Sequence, residues 1–445
     1  MTADASAGTS PDASSLALDA VARTRAGTEL AAAQIEQLVA DFVAGRIPDY
    51  QMSAWLATVA CRGLSRAETV ALTRAYVTGG ETLDFAASGR VVLDKHSTGG
   101  VGDTVSLVVV PLVAACGVAV AKMSGRGLGL TGGTIDKMES VRGLRLELDA
   151  DDVYRMVDEV GMVITGQSAR LTPGDKATYA LRDVTGTVDS LPLIAASIVS
   201  KKVAVGAHGV LFDVKTGAGA LIPDQDRALE LARLMVEVAT GAGLRCQAVL
   251  TDMSQPLGYA VGNALEVREA LDALRGVDVP GLTGLSRTIS ALMLRAADHD
   301  LTPAAAERKV DEMLAAGAGY EQFLRWAAAQ GAEPGALDEP GGLPTAANQT
   351  PVLADRAGFV STVDPRLIGT AAMRVGAGRL VKGGPLDHAA GVVLRRRVGD
   401  QVAAGEPLAV IHHRDGVQPP VDLVRDAFRV TESAPAEPPV VLQII

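Results

Sequence analysis

The chain has 445 residues, of which 48% are hydrophobic, 21% charged and only 3% aromatic, and its formal net charge is −11. That length predicts two to three domains, and the wealth of Ala, Val, Leu and Gly suits an α/β protein with tight strand-to-helix turns. No run of clustered Lys and Arg offsets the acidic balance, so nucleic acid is not an expected partner, and any anion must be held by a local, built site.

At the start, "MTADASAGTSPDASS" has neither a basic opening nor an apolar core. It is not a secretory signal; residues 1–14 are expected to form a disordered tail, and the protein is expected in the cytoplasm. From about 28 to 80 the pattern is helical. Ile35, Leu38, Val39, Phe42 and Val43 recur at helical spacing up to Gly45, and Pro48 opens a second helix through Trp55, Leu56 and Val59 to Gly63. Ser65-Arg66-Ala67-Glu68 is a capping box that starts a third helix, ending at Gly79-Gly80. Between 90 and 255, the strand-like runs "RVVLDK", "GVAVAKM", "GVLFDV" and "RCQAVLT" alternate with helical stretches, and 226–243 and 263–276 look like two crossover helices. That alternation predicts a largely parallel sheet. The apolar run 105–120 is short and broken by Pro111 and Gly117, which makes it a buried strand or helix segment rather than a membrane span. Residues 331–350, rich in Pro and Gly, read as a linker, and 357–445 as short strands turning at Gly391, Gly399-Asp400 and Gly405. Within them, "VGDQVAAGEPLAVI" is similar in shape to the barrel-sandwich hammerhead of lipoyl and biotinyl carriers, without a lysine at a hairpin tip. Cys61, Cys116 and Cys246 are far apart and odd in number, so they are read as buried free thiols rather than a zinc or disulfide framework.

Three stretches carry chemistry. In "DKHSTGGVGDTVS" (94–106), Lys95 supplies a point charge, Ser97, Thr98, Thr104 and Ser106 supply hydroxyls, and Gly99, Gly100 and Gly102 let backbone N–H groups approach a ligand. That assembly suits a phosphate; a Walker A loop is excluded because the lysine precedes the glycines, and the competing reading is a turn with a solvated lysine. In "KMSGRGLGLTGGTIDKMESV", Gly127, Gly129 and Gly132 match a dinucleotide fingerprint with Glu147 and Asp149 near the expected acid. Lys122, Ser124, Arg126, Thr131 and Thr134, however, crowd this loop with donors. Two donor-rich loops, each after a strand, more naturally converge on one anion at the carboxyl end of a sheet. In the third stretch, 166–202, Arg182, Ser197 and Lys201 stand out. Ser197 and Lys201 share a helix face, with Ile194, Ile198 and Val199 on the buried side; the competing reading makes Lys201 and Lys202 a solvated helix end. The histidines His208, His299, His388, His412 and His413 show no ligand spacing.

Taken together, "KHSTGGVGDTVSL", "KMSGRGLGLTGGTIDKMES", "LRDVTGTVDSLPLIAASIVSKK" and "DVKTGAGA" resemble the thymidine and pyrimidine-nucleoside phosphorylases, and the similarity extends to "IPDYQMSAWL" and "TDMSQPLGYAVGNALEVREAL". One departure is Leu130, where many members have histidine. The resemblance implies an α/β fold: a small all-helical domain (15–80 with 170–204), a larger mixed α/β domain with a central sheet (88–165 with 208–335), and a C-terminal α+β barrel-sandwich-like part (350–445). It implies reversible phosphorolysis of pyrimidine nucleosides (thymidine, uridine and deoxyuridine) to free base and α-(deoxy)ribose 1-phosphate, in pyrimidine salvage. It also implies a homodimer, no membrane partner, inorganic phosphate as co-substrate and no organic cofactor. Carried over residue by residue, Lys95, Ser97, Ser106, Lys122, Ser124 and Thr134 would hold phosphate. His96, Arg182, Ser197 and Lys201 would hold the base, with His96, Arg182 and Lys201 as the catalytic residues. Gly102, Thr104, Leu257, Ala260 and the Glu269 side chain would coordinate a potassium ion. An anthranilate-type phosphoribosyltransferase and an NAD-binding oxidoreductase are the alternative enzymes; an inactivated scaffold is disfavoured because His96, Arg182 and Lys201 are all present.

Overall fold

The structure is a computed structural model and describes residues 11–127, 132–166, 170–380, 384–436 and 439–445. It opens with four helices, α1 (Pro11–Ala26), α2 (Ala32–Val43), α3 (Asp49–Arg62) and α4 (Arg66–Val77). Strands and helices then alternate: β1 (Val92–Ser97), α5 (Val105–Ala115), β2 (Ala119–Ser124), α6 (Thr134–Met138), α7 (Ala150–Glu159) and β3 (Met162–Gly166). Two helices follow, α8 (Pro173–Thr185) and α9 (Leu191–Ala204), before β4 (Gly209–Thr216), α10 (Gln225–Gly241), β5 (Arg245–Asp252) and the short β6 (Ala260–Val261). Helices α11 (Asn263–Leu274), α12 (Leu282–Ala297), α13 (Pro303–Ala315) and α14 (Ala318–Ala329) complete this middle region. The remainder comprises β7 (Asn348–Leu353), β8 (Gly358–Val363), α15 (Pro365–Arg374), β9 (Gly391–Leu394), β10 (Gln401–Val402), β11 (Pro407–His413), α16 (Val421–Asp426), β12 (Phe428–Thr431) and β13 (Val441–Ile444).

The chain divides into two compact units, 1–89 with 167–210 and 230–246, and 90–166 with 211–229 and 247–445. In the first, the apolar faces of α1 to α4 and α9 form one core around Trp55, Leu56 and Tyr76. The capping box is present: Ser65 Oγ accepts from Glu68 N and Glu68 Oε2 from Ser65 N. Glu68 Oε1 also accepts from Leu30 N, so one buried carboxylate ties α4 to the chain entering α2. The expected tail 1–14 is helical from Pro11. Its inward residues are Ala13, Ala17 and Ala20, and alanines leave little periodic apolar signal to read.

The second unit is built on a six-stranded sheet in the order β13-β5-β4-β1-β2-β3, with β1–β2 and β2–β3 parallel. The run 105–120 resolves into helix α5, buried from Val105 to Val113 and containing Pro111, followed by the start of β2. One correction concerns the C-terminal part. Strand β13 pairs antiparallel with β5 at the edge of the central sheet rather than with the small C-terminal sheets. Helices α15 and α16 lie among its strands, as an α+β part requires. The rest of that part forms a three-stranded sheet, β10-β8-β12, and, together with β6 from the middle region, a four-stranded one, β6-β9-β11-β7. The cysteine reading is also corrected: Cys116 is buried, but Cys246 is only half-buried and Cys61 is exposed.

Candidate active site

Because β1 and β2 are parallel neighbours, the loops that follow them leave the same edge of the sheet. Carried to the strand ends, the register Val92 to Ala119 sets Ser97 level with Ser124. Lys95 is fully buried; its Nζ donates to Asp213 Oδ2 at 2.9 Å and to Ser106 Oγ, on the first turn of α5, at 3.4 Å. A buried ammonium is tolerable only when paired in this way, which removes the solvated-lysine reading. Asp213 Oδ1 accepts from Thr251 Oγ1 at 2.8 Å and lies 2.9 Å from Lys215 Nζ, so one carboxylate sits between two buried lysines. Lys215 Nζ makes no directed hydrogen bond.

Ser97 Oγ donates to Asp103 Oδ2 and accepts from Gly99 N at 3.2 Å. Burial alone would raise the Asp103 carboxyl, but Lys215, Lys95, Lys137 and the Ser97 bond together hold it well below the usual carboxylate range. Lys122 is buried on β2 with its Nζ 3.3 Å from Met123 O. Ser124, the last residue of β2, is buried and its Oγ has no protein partner. Thr134 is the first residue of α6. This edge therefore gathers ammonium charge, an unengaged hydroxyl and a glycine loop, the elements that phosphate recognition needs.

The expected base residues divide between the units. His96 follows Lys95 on β1, is half-buried and stands edge-on to Phe212, ring centroids 6.5 Å apart. Arg182, Ser197 and Lys201 belong to the helical unit. Lys201 and Ser197 do share a face of α9: Lys201 Nζ donates to Ser197 Oγ at 3.0 Å and to Ser197 O at 2.8 Å. Its third partner is Asp175 Oδ2 on α8, at 2.5 Å. Asp175 Oδ1 is buried without a hydrogen-bond partner, and the buried Tyr76 hydroxyl has the Thr178 side chain beside it. Burial, and then the nearby Asp175 charge, pushes the Tyr76 phenol up to about 12. Arg182 is buried and donates to the carbonyls of Thr187, Leu193 and Val188 at 3.3, 3.1 and 3.0 Å, which fixes the α8–α9 turn and leaves two of its five N–H groups. Lys202 is buried, so α9 does not end in two solvated lysines.

The residues expected to hold potassium meet in the second unit. Gly102 has φ +76°, and a Cβ there would lie 3.1 Å from Ala260 O and 3.5 Å from Leu257 N. Thr104 Oγ1 is 3.3 Å from Gly102 O and donates to Glu266 Oε2 at 3.0 Å. Glu269 Oε1 accepts from Tyr259 N and Ala260 N at 2.7 and 3.1 Å, while its buried Oε2 has no partner. Burial lifts the Glu269 carboxyl to about 7 despite those bonds. A buried carboxylate oxygen without a protein partner, on a side chain tied to Tyr259 and Ala260, is of the chemistry that a hard cation takes. Among the described residues no cluster of three His, Cys, Asp or Glu side chains could hold a metal ion.

Sequence reasoning passed over the acids that make these buried cations tolerable: Asp213 for Lys95, Asp175 for Lys201, and Glu266, 2.6 Å from buried Lys137. Asp213 and Lys215 alternate on a strand buried throughout its length, and charge on such a strand is the signal that could have found them. The dinucleotide reading loses support at Gly127, whose N–H is taken at 2.6 Å by Asp136 Oδ2, so a protein acid stands where a pyrophosphate would be expected. Gly129, Leu130 and Thr131 lie outside the described residues.

The profile for the glycosyl transferase family helical bundle domain matches residues 18–80, that for the glycosyl transferase family a/b domain matches 89–320, and that for the pyrimidine nucleoside phosphorylase C-terminal domain matches 359–430. The chain is 46% identical to the pyrimidine-nucleoside phosphorylase of Bacillus subtilis, covering 94% of this chain and 97% of that protein. It is 45% identical to the one of Geobacillus stearothermophilus, covering 89% and 91%. In fold it is similar to the crystal structure of anthranilate phosphoribosyltransferase from Thermus thermophilus, with TM-score 0.57 at 20% identity over 70% of this chain and 99% of that one. With all three profiles in order along it and relatives this similar over nearly its full length, the chain belongs to the pyrimidine-nucleoside phosphorylase family, a family of glycosyl transferases.

Proposed function

We propose that the protein catalyses the reversible phosphorolysis of pyrimidine nucleosides, thymidine as well as uridine and deoxyuridine, to free base and α-(deoxy)ribose 1-phosphate, and so serves pyrimidine salvage. The observation that carries this reading is the edge after β1 and β2: buried Lys95, aimed by Asp213 and Ser106, beside Ser124 with its hydroxyl unengaged. In the reaction a phosphate oxygen forms a bond to C1′ as the C1′–N1 bond breaks, and the electron pair leaves with the pyrimidine. Lys95, Ser97, Ser106, Lys122, Ser124 and Thr134 hold the phosphate, and its positioning supplies much of the rate. Arg182, Lys201 and Ser197 donate to the carbonyl oxygens where negative charge collects, as an oxyanion hole does. The three N–H bonds of Lys201 are all engaged, so the bond to the Ser197 hydroxyl, which can rotate away, is the one exchanged for the base. His96 supplies the proton that neutralises the departing base.

Gly102, Thr104, Leu257, Ala260 and Glu269 would hold a potassium ion, whose charge would neutralise Glu269 and brace the loop that carries Ser97 and Ser106. We further propose a homodimer formed through the helical unit, whose helices α1, α2 and α3 carry exposed Leu18, Val43 and Tyr50. The test is phosphate-dependent release of base from thymidine and uridine in parallel, followed by absorbance. Release from both supports the broad specificity; release from thymidine alone narrows it, and release from neither overturns phosphorolysis. Sedimentation equilibrium of the wild type against Tyr50→Glu tests the dimer, which should weaken in the variant.

A further inference from the structure

The loop that leaves β2 at Ser124 and re-enters the fold at Thr134 is pinched at its neck. A Cβ on Gly133 would lie 2.2 Å from Gly127 N and 2.3 Å from the Arg126 carbonyl carbon, so the two sides of the neck touch backbone to backbone. Buried Asp136, on α6, ties them together: its Oδ2 accepts from Gly127 N at 2.6 Å and from Gly133 N at 3.4 Å. Its Oδ1 faces two arginines. Arg126 Nη1 is 3.4 Å away, but Arg126 belongs to the loop and its side chain is 50% exposed, which makes it a weak anchor. Arg379 Nη1 donates to the same oxygen at 2.8 Å with a side chain only 21% exposed, and its Nη2 lies 3.9 Å from Glu139 Oε2.

Arg379 lies 243 residues further along the chain, beyond α15, and its segment is fixed independently by Asn263 Nδ2 donating to Ala377 O at 3.0 Å. Residues 359–430 also match a separate C-terminal profile, outside the a/b match at 89–320. The shared fold fills 99% of the anthranilate enzyme with only 70% of this chain, so this protein carries substantial structure beyond that fold.

We propose that Arg379 is a positioning residue for phosphate binding: through Asp136 it sets the neck of the loop, so that Ser124 and Thr134, one on each side of it, stand at fixed spacing. Asp136 needs a cation to balance a buried charge, and the C-terminal part supplies the less exposed of the two. The C-terminal part thereby acts on a loop formed by the α/β domain without touching substrate. This inference rests on the phosphorolysis reading.

The test compares wild type with Arg379→Met and Arg379→Lys. Phosphate is varied at saturating thymidine, then thymidine at saturating phosphate, and limited trypsin cleavage after Arg126 is timed by mass spectrometry with and without phosphate. In Arg379→Met the KM for phosphate should rise on the order of tenfold, the scale of one charge-assisted bond, with the KM for thymidine within about twofold. Cleavage after Arg126 should be faster, and phosphate should protect less. Arg379→Lys should recover part of both effects, since it restores the charge but not the second contact. An unchanged KM for phosphate with unchanged cleavage overturns the proposal, and so does an equal rise in both KM values. Absence of phosphate-dependent release in the wild type overturns phosphorolysis instead, and the cleavage rates then judge the neck contact alone.

Discussion

Replacing Lys201 tests two things at once, and the structure shows how to separate them. Its ammonium is 2.5 Å from Asp175 Oδ2, with side chains 15% and 5% exposed, and Asp175 Oδ1 has no hydrogen-bond partner. Lys201→Ala therefore leaves a carboxylate buried without its cation, a change that costs about 3–5 kcal/mol in buried pairs. The partial exposure of Lys201 lets water reach the vacated space, so the low end, about 3 kcal/mol, is expected. Loss of one donor to the departing base costs a further ~2.7–4 kcal/mol, on the transition state rather than on folding. Asp175→Asn placed in the Lys201→Ala background removes the stranded charge but supplies no donor to the base. Urea unfolding should thus show the double variant recovering most of the lost stability, while phosphorolysis stays down by about 100- to 1000-fold in both. If activity returned together with stability in the double variant, Lys201 would be a structural cation and its role at the base would be refuted. If Lys201→Ala were as stable as wild type, the buried pair itself would be wrong.

Tyr76 gives a pH test: its folded-state phenol is held near 12 against an ordinary 10, so the fold favours the neutral form. Stability from this group is complete below pH 10 and is lost as pH rises towards 12, by roughly 3 kcal/mol at most; Tyr76→Phe should lack that loss in paired denaturation curves at pH 9 and 11. At pH 8 it should lose no more than about 1 kcal/mol, the scale of one neutral hydrogen bond, here with Thr178. For the cation site, potassium chloride should raise the thermal midpoint of wild type above that in choline chloride, and more at pH 8 than at pH 6, since a carboxyl lifted to about 7 is a poorer ligand while protonated. Glu269→Gln should abolish that difference, and equal shifts in the variant would remove the site. Among the thiols, exposed Cys61 should alkylate first under native conditions, while Cys116, pushed up to about 11 by burial, should react only on unfolding.

Elements with a strong local signature were legible in sequence: the capping box of α4, the apolar face of α2, the strands bearing Lys95 and Lys122. Elements whose pattern depends on distant partners were not. Helix α1 buries alanines, and β13 finds its place at the edge of the central sheet only through pairing with β5, nearly 200 residues earlier. The candidate site divides in the same way. Hydroxyls and lysines in a glycine loop announce themselves as donors, and resemblance to a family assigned them provisional roles. The acids that hold those donors are scattered: Asp213 is 118 residues from Lys95, and Asp175 is 26 from Lys201.

These acids explain how an acidic chain can hold an anion. Each of these buried lysines needs a carboxylate to exist in the fold, and each such carboxylate subtracts from the positive field available to phosphate. The structure resolves the conflict by sharing. Asp213 lies 2.9 Å from both Lys95 and Lys215, and Asp103 is drawn to the same two ammonium groups, so neither lysine has a carboxylate to itself. Asp103 is held anionic by three lysines while also accepting from Ser97, so that hydroxyl must turn away from Asp103 before it can donate to any phosphate. Asp213→Asn should therefore not act as a simple gain of positive charge. It would free Lys95 from its aim as well as from its counter-ion, and the KM for phosphate should rise. A fall would mean that Coulomb attraction outweighs positioning at this edge, and the aiming role of Asp213 would be refuted.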